Sequence, residues 1–260
     1  MKKTLLSLLS ALIFCNLAFA QNQLADTKVE AIVKRAVENL GGEKYLRATT
    51  QIGRGRYSVL RDGVLVSFQS FVDVMIFPDK ERTEFKTGGA KNVQTNDGGA
   101  GWIFDGEAQV INVQSKEQIE NYKRGLRTSL DNLLRENWRK ENAKLQFGGR
   151  RQAGLGRRND VVKLIFADDL TVEFEFSDDG MPVKSIYKRK NGEETITEED
   201  RYAQFIEVQG IKTPFIVDHF SNGAQTSRVN YESVEFNKAI PDSIFAQPKN
   251  VKELKKDLKL

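Results

Sequence analysis

The chain has 260 residues, and its 40 Lys and Arg against 36 Asp and Glu give a formal net charge of +4. Charges of both signs are interspersed as on an ordinary soluble surface, so no basic stripe indicates nucleic-acid binding. The chain's single histidine and single cysteine exclude a two-histidine metal motif and a disulfide framework, so a large hydrophobic core must stabilise the fold.

The N-terminal segment, residues 1–20, has the pattern of a secretory signal peptide. Lys2 and Lys3 precede an apolar run from Leu5 to Phe19, and the small residue Ala20 ends it. We therefore expect cleavage after this position and export to a periplasm. Cys15 would be lost with the peptide, and a lipid-anchored form is the alternative. No later apolar run approaches the ~20 residues that cross a bilayer.

The next segment has the period of an amphipathic helix. Apolar residues recur at steps of three and four from Val29 to Leu40, with Asp26 as a predicted N-cap and Gly41 as a predicted stop. A second, short helical turn is predicted from Glu43 to Arg47.

From Val64 to Phe77 the apolar period changes to two, which predicts a β-strand. Turn-forming pairs then recur roughly every 8–15 residues, as expected of successive hairpins. The pairs are Asp62-Gly63, Pro78-Asp79, Asp97-Gly98, Asp105-Gly106, Asp168-Asp169, Asp179-Gly180, Asn191-Gly192, Gln209-Gly210 and Asn222-Gly223. They predict a mostly β, α+β fold in which about ten antiparallel strands form an incomplete barrel, because long twisted sheets tend to curl.

One long helix interrupts the strands. Ser115 and Gln118 fit a capping box, and an apolar stripe then runs from Ile119 to Trp138. This stripe needs an apolar partner, and we expect it to cover the concave side of the curled sheet.

Two further segments are predicted to be irregular. Residues 147–160 are rich in Gly and Arg and are expected to form a loop, whose arginines are solvated or, alternatively, contact anionic headgroups or an acidic partner. The arginines are Arg150, Arg151, Arg157 and Arg158. The lysine-rich tail, residues 251–260, is expected to be a short exposed helix or a disordered end. No linker divides the chain between them, so residues 21–250 are predicted to form one domain.

Signatures of an enzyme are missing from the sequence. It lacks a glycine-flanked nucleophilic serine and a complete phosphate-binding loop. Adjacent carboxylates occur mostly in or beside predicted turns, where they cap backbone N–H groups. These pairs are Asp168-Asp169, Asp178-Asp179, Glu193-Glu194 and Glu198-Glu199. We therefore expect no catalytic residues, no cofactor and no metal.

The stretch from Arg201 to Gly223 contains the single histidine and is predicted to be two strands. Pro214 lacks a backbone donor, so its strand should be an edge or carry a bulge there. One face of the second strand would carry Ile211, Thr213, Phe215, Val217 and His219. His219 would then cap an apolar row, either as a packed histidine or as a pH sensor.

An ordered set of weak motifs resembles the outer-membrane lipoprotein-sorting proteins, the LolA/LolB-like family of periplasmic carriers. The motifs are Leu40-Gly41-Gly42, Gly101-Trp102, Phe174-Glu175-Phe176, Gly180-Met181-Pro182, Gly210-Ile211-Lys212-Thr213-Pro214 and Phe245-Ala246-Gln247-Pro248. The likeness covers about Asp26 to Pro248. It implies a half-closed antiparallel barrel with helices as a lid over an apolar cavity. Members of the family carry lipoprotein acyl chains or sense envelope lipids and misfolded outer-membrane proteins.

These observations support a non-enzymatic binding protein for lipid or lipoprotein acyl chains, which we expect to be a monomer. Glycines 98, 99 and 101 are candidate hinges of a lid. The predicted ligand-binding residues are Val66, Phe68, Trp102, Phe104, Tyr122, Leu126, Leu130, Leu133, Phe174 and Phe176. The same apolar rows could instead fill a solid core, and the protein would then be an interaction or sensor module that docks an envelope membrane partner.

Overall fold

The computed structural model describes residues 27–254 and residue 258, so the predicted signal peptide and the predicted N-cap Asp26 lie outside it. The helices are α1 (27–40), α2 (Glu43–Leu46), α3 (Lys116–Thr128) and α4 (Leu130–Leu134). Short 3-10 helices cover Asn137–Glu141, Asp242–Ile244 and Val251–Glu253.

Thirteen strands form one antiparallel sheet in the described part of the chain. They are β1 (Thr50–Arg61), β2 (Val64–Ile76), β3 (Lys80–Thr87), β4 (Ala90–Asp97), β5 (Ala100–Asp105), β6 (Val110–Val113), β7 (Lys144–Gly154), β8 (Arg157–Ile165), β9 (Thr171–Phe176), β10 (Pro182–Asn191), β11 (Glu194–Val208), β12 (Ile211–Ser221) and β13 (Ala224–Phe236).

The strand order explains how the helices reach the face of the sheet. It runs β6-β5-β4-β3-β2-β1-β13-β12-β11-β10-β9-β8-β7. The chain therefore starts in the middle of the sheet, proceeds to the β6 edge, crosses through α3 and α4 to the β7 edge, and returns. The sheet is open, and its thirteen strands exceed the ten predicted.

The predicted loop over residues 147–160 is wrong, because this segment forms the β7–β8 hairpin. Its composition hides the strands, since four glycines and four arginines replace the expected apolar alternation. Two of the arginines, Arg150 and Arg151, pair with acids on neighbouring strands. Arg151 lies 2.5 Å from Glu173 and 2.5 Å from Glu175, and Arg150 lies 3.4 Å from Asp160. A register shift after Phe147 accommodates the glycines.

Helix α1 follows the predicted pattern, and its apolar stripe is buried against the sheet. It ends at residue 40, where Gly41 adopts a φ of 125°. A Cβ atom at Gly41 would lie 2.5 Å from the carbonyl oxygen of Gly210, so glycine is required both for the turn and for this close approach. The predicted helical turn after it is confirmed as α2.

The long helix predicted up to Trp138 is broken at Ser129, although its capping box is confirmed at Ser115 and Gln118. Ser129 has extended backbone angles, and its Oγ accepts a hydrogen bond from the N–H of Asn132, 3.0 Å away, as the N-cap of α4. A serine favours such a cap over a helix interior. The break lets α4 bury Leu133 against the sheet.

The face of the sheet that carries the helices, called the helix face here, holds the main core. Side chains alternate between the two faces of a strand. Those on the helix face of β8 and β9 are 0–1% exposed and pack against α1 and α4. These side chains are Val162, Leu164, Val172, Phe174 and Phe176.

The C-terminal segment covers part of the opposite, outer face, over strands β3 to β5. The Trp102 Nε1 donates to the carbonyl oxygen of Phe245 at 2.8 Å, and Val251 and Leu254 pack on Trp102 and Phe104. The predicted exposed tail is therefore wrong for Val251 and Leu254, the latter only 3% exposed. Lysines on either side of these two apolar residues hid their alternation in the sequence.

Candidate functional site

A cavity of about 500 Å³ lies on the helix face, between the α3–α4 segment and strands β1, β2 and β11 to β13. Its apolar lining comes from Leu40, Met75, Phe77, Leu130, Ile211, Pro214, Val217, Phe220, Val229 and Phe236. Four tyrosines and a few charged side chains complete it: Tyr45, Tyr187, Tyr202, Tyr231, Asp131, Arg135, Glu198, Asp200, Lys212 and His219. The cavity is thus an apolar space with polar groups at its ends.

The sheet is split beside this cavity. Strand β12 pairs with β11 along its length, but its pairing with β13 begins only at Ile216. Pro214 therefore lies in a stretch without a β13 partner, which confirms the edge that its missing donor predicts. Across the split, the N–H of Phe236 donates to Oε1 of Gln209 at 2.7 Å, so that backbone donor stays satisfied.

One end of the cavity is closed by a network that joins α2, α4 and the sheet. The Tyr45 hydroxyl donates to Asp131 Oδ1, and Arg135 Nε donates to the same oxygen at 3.0 Å. The guanidinium also donates to the carbonyl oxygen of Ala48 at 2.9 Å and lies 4.0 Å from the ring centre of Phe77. Burial, together with the Asp131 charge, raises the pKa of Tyr45 well above its ordinary value. The phenol stays neutral and remains a donor.

The sheet side of the cavity holds a second polar pair. The ring Nδ1 of His219 is hydrogen-bonded to Asp200 Oδ1, directly across the β11–β12 ladder. Burial lowers the pKa of His219, but the hydrogen bond and charge of Asp200, with Asp218 and Glu198, raise it above the ordinary value on balance. Asp200 therefore favours the protonated form of the imidazole, to which it is hydrogen-bonded.

Comparison with known proteins identifies the fold. No protein-family profile and no curated protein sequence matches the chain. A LolA superfamily protein from Nitrosomonas europaea matches in structure with a TM-score of 0.57 at 14% identity, over 84% of this chain and 97% of that one. A putative outer membrane lipoprotein-sorting protein domain from Vibrio parahaemolyticus matches with a TM-score of 0.54 at 10% identity, over 86% and 100%.

This chain has the LolA-like fold. A DUF1329 family protein from Desulfovibrio piger shares it as well, with a TM-score of 0.57 at 12% identity over 84% of this chain and 97% of that one. The resemblance predicted from the sequence is thus confirmed at the level of fold.

Of the ten predicted ligand-binding residues, only Leu130 lies in the lining of the cavity. Leu133, Phe174 and Phe176 lie in the main core and are at most 1% exposed. Tyr122 donates through its hydroxyl to the carbonyl oxygen of Asp79 at 3.0 Å. These four residues lie outside the cavity lining. Leu126 also lies outside it and borders a smaller pocket of about 280 Å³.

The other four predicted residues lie on the opposite side of the sheet. The register pairs Trp102 with Thr95, Thr95 with Arg82, and Arg82 with Val74, so all four share one face. Met75, the neighbour of Val74, lines the cavity from the other face. By the same alternation Phe104, Val66 and Phe68 lie on the outer face, Val66 and Phe68 being 51% and 47% exposed.

The predicted row on β12 is better placed. Ile211, Thr213, Val217 and His219 line the cavity, and the fifth member of the row, Phe215, packs in the main core. Alternation along β12 up to His219 places all five on one face.

The predicted hinge glycines 98, 99 and 101 lie at or beside the β4–β5 turn. This turn contacts α3, because the Gly98 N–H donates to the carbonyl oxygen of Asp79, which also accepts from Tyr122.

Sequence reasoning missed Tyr231, whose ring fills the middle of the lining. Its ring lies against Gly53 on β1, where a Cβ atom would be 2.4 Å from the ring carbon Cε1. Phe71 contacts the same ring edge-on, with 5.4 Å between ring centres. The glycines at 53 and 55, inside a strand, are the available signal, since a strand glycine marks a close approach.

Two absences concern the described residues alone. No three His, Cys, Asp or Glu side chains are grouped there so as to hold a metal ion. None of the helices in the described part of the chain is long and apolar enough to span a membrane.

Proposed function

We propose that the protein is a periplasmic binding or carrier protein for the acyl chains of lipids or lipoproteins. The observation that carries the proposal is the cavity on the helix face. Its volume of about 500 Å³ falls within the roughly 300–1,000 Å³ typical of small-molecule sites. The LolA-like fold and the predicted signal peptide support the envelope context.

Two of the charged groups in the lining are occupied by protein partners. Arg135 donates to Asp131 and to the backbone carbonyl oxygens of Leu46 and Ala48. His219 is hydrogen-bonded to Asp200. A buried hydrocarbon therefore leaves neither of these two groups without a hydrogen-bond partner. Each buried methylene would contribute ~0.8 kcal/mol before ordering costs, and specificity for one chain would be low.

A variant that fills the cavity tests this proposal. Leu130→Trp places a larger ring in the lining, and excluding two methylenes would cost ~1.6 kcal/mol, or about tenfold in Kd. Uptake of a fluorescent fatty acid by the purified protein should fall accordingly. Val64→Trp is the matched control, because Val64 is 63% exposed and lies outside the cavity. Equal uptake by the wild type and Leu130→Trp, or no uptake by either, would contradict the proposal.

The second candidate is an interaction module, and one observation favours it. Strand β2 pairs with β3 only from Ser70 onward, so residues 64–69 form an unpaired strand edge at the end of the β1–β2 hairpin. Four large apolar side chains are exposed there: Val64, Leu65, Val66 and Phe68. Such an edge can add a strand from a membrane-bound partner.

Replacing Val66 and Phe68 together by Asp separates the two candidates. Under the interaction hypothesis, capture of a partner from envelope extract is lost while fatty-acid uptake is unchanged. Under the carrier proposal, the cavity variant Leu130→Trp loses uptake and this double variant keeps it.

A further inference from the structure

A second polar cluster lies on the helix face, on strands β2, β3 and β4, next to the cavity-lining Met75. The ladder pairs Asp73 with Thr83, and Glu81 with Asn96, so their side chains share this face. Asn96 is paired in turn with Gly101 on β5. The side chain of Gln114 lies over Gly101, where an added Cβ atom would be 2.7 Å from its Cδ. We call Asp73, Glu81, Asn96 and Gln114 the oxygen cluster.

The two carboxylates of the oxygen cluster have no cationic partner. Asp73 is 6% exposed and accepts a hydrogen bond from Thr83 Oγ1 at 2.9 Å. No Lys, Arg or His of the described residues forms an ion pair with Asp73 or Glu81. Without a counter-ion, the pair must share a proton to remain buried.

Both amide oxygens of the oxygen cluster also lack a partner. Asn96 Oδ1 and Gln114 Oε1 are buried with no hydrogen-bond donor within reach, and their side chains are only 2% and 5% exposed. Gln114 Nε2 donates to the carbonyl oxygen of Thr95 at 3.1 Å, which fixes which way the amide points. A buried acceptor left unpaired costs about 1–3 kcal/mol, so two beside a carboxylate pair indicate a missing positive group.

We infer that the oxygen cluster is a binding site for a divalent cation, namely Ca²⁺. Two carboxylates supply the charge of −2 that such an ion neutralises, and two amide oxygens add neutral ligands. An all-oxygen set suits hard cations, and Ca²⁺ tolerates irregular geometry better than Mg²⁺, which demands a near-ideal octahedron. The glycine at position 101 leaves the room that the Gln114 amide needs. Glu81 is only partly buried, so the ion has a way in.

The position of Gln114 gives the site a structural consequence. It directly precedes Ser115, the N-cap of α3. A cation bound by Gln114 and by the three strands would tie the start of this helix to the sheet. The four side chains border the cavity without lining it, and the inference does not rest on the proposed function.

The test is a titration of the full chain with CaCl₂ after removal of metals with EDTA. Isothermal titration should show one Ca²⁺ per chain. At a hundredfold excess over Kd, the Tm should rise by roughly 5–10 °C. Glu81→Gln keeps the shape of the side chain and removes the repulsion, so it should fold and lose the Ca²⁺ response. Asn96→Ala, which removes one unpaired acceptor, should weaken binding at least about tenfold.

Glu107→Gln is the matched control, since Glu107 is exposed in the β5–β6 turn, and it should bind Ca²⁺ like the wild type. The absence of heat and of a Tm change in the wild type would overturn the inference and leave the shared proton as the whole explanation. A wild-type response in both Glu81→Gln and Asn96→Ala would overturn it as well, by placing the ion elsewhere.

Discussion

The two halves of the helix face differ in how they are filled. Under α1, the side chains of β8 and β9 are aliphatic or Phe and at most 1% exposed. Under α3 and α4, the corresponding positions of β11 to β13 alternate apolar groups with Thr213, Asp200, Tyr202 and His219. The first set interdigitates into a solid core. The second cannot pack without separating its paired polar groups, so a space remains.

This comparison explains why the densest apolar rows did not mark the binding site. Phe174 and Phe176 are the strongest apolar signal in the sequence, and they are core. A cavity in a folded protein needs residues that hold their positions without filling the space. Hydrogen-bonded tyrosines and acid–base pairs meet this requirement. In the sequence, the strands that carry them look only weakly apolar.

The largest expected effect is a difference in the free energy of unfolding between a core variant in the filled half and a lining variant in the hollow half. Phe174→Ala should lower the free energy of unfolding by about 3–5 kcal/mol, because the packed core cannot collapse into the gap. Val217→Ala, in the lining, should cost clearly less, since its side chain already borders open space. Urea denaturation followed by circular dichroism measures both. Equal losses would mean that the two halves are packed alike.

A smaller effect is expected from the contact between Gly53 and Tyr231. A Cβ atom at Gly53 would lie 2.4 Å from the Tyr231 ring, so Gly53→Ala must push the ring into the cavity. The variant should lose about 1–3 kcal/mol of stability from overpacking and should take up less fluorescent fatty acid. Gly99→Ala, with no atom within 4 Å of the added Cβ and no positive φ, controls for a general glycine effect. Unchanged uptake by Gly53→Ala would place the ligand away from Tyr231.

The pH dependence of stability should report the buried carboxylates. In metal-free protein the pKa of Glu81 is raised from 4.5 to about 8, so the folded state binds more protons than the unfolded state between these values. The free energy of unfolding should therefore fall as pH rises through this window. Glu81→Gln removes that contribution. Denaturation in EDTA at several pH values should show a wild-type-minus-variant difference that declines from pH 5 to pH 8. A difference that rises with pH would contradict the buried pair.

The smallest effect is expected at His219. Burial lowers the folded-state pKa of His219, but the hydrogen bond and charge of Asp200 raise it on balance above the ordinary value of about 6.5. The stabilisation is therefore fully present below this ordinary value and is lost as pH rises through the raised pKa. The loss of stability in His219→Gln relative to the wild type should be largest near pH 5 and should become small at high pH. Thermal unfolding across this range gives the curve. A constant difference from pH 5 to pH 9 would assign the ring a packing role alone.

Local signals in the sequence were sufficient where the chain obeys local rules. The stripe of α1, the cap at Ser115 and the hairpin turns at Asp62-Gly63 and Asn222-Gly223 all follow from the chemistry of nearby residues. The break at Ser129 does not follow from nearby residues, because serine occurs both inside a helix and as its cap. Strand β7 could not be predicted from nearby residues either, because the acids that pair with its Arg151 are more than twenty residues away.

The site itself depended on long-range pairing. The outer position of Trp102 follows only from a register that links four strands, and its covering segment comes from the far C-terminal end. Conversely, the row on β12 was predictable, because one strand's alternation suffices to place Ile211, Val217 and His219 on one face. Composition could not say that this row borders a space.

Native mass spectrometry of the purified protein, beside Leu130→Trp, tests most directly whether the hollow half of the helix face holds a hydrocarbon. The account predicts that the wild type carries a lipid or binds one added fatty acid per chain, and that Leu130→Trp carries markedly less. A wild type that remains free of lipid even with added fatty acid, or a Leu130→Trp variant that binds as much as the wild type, would contradict it.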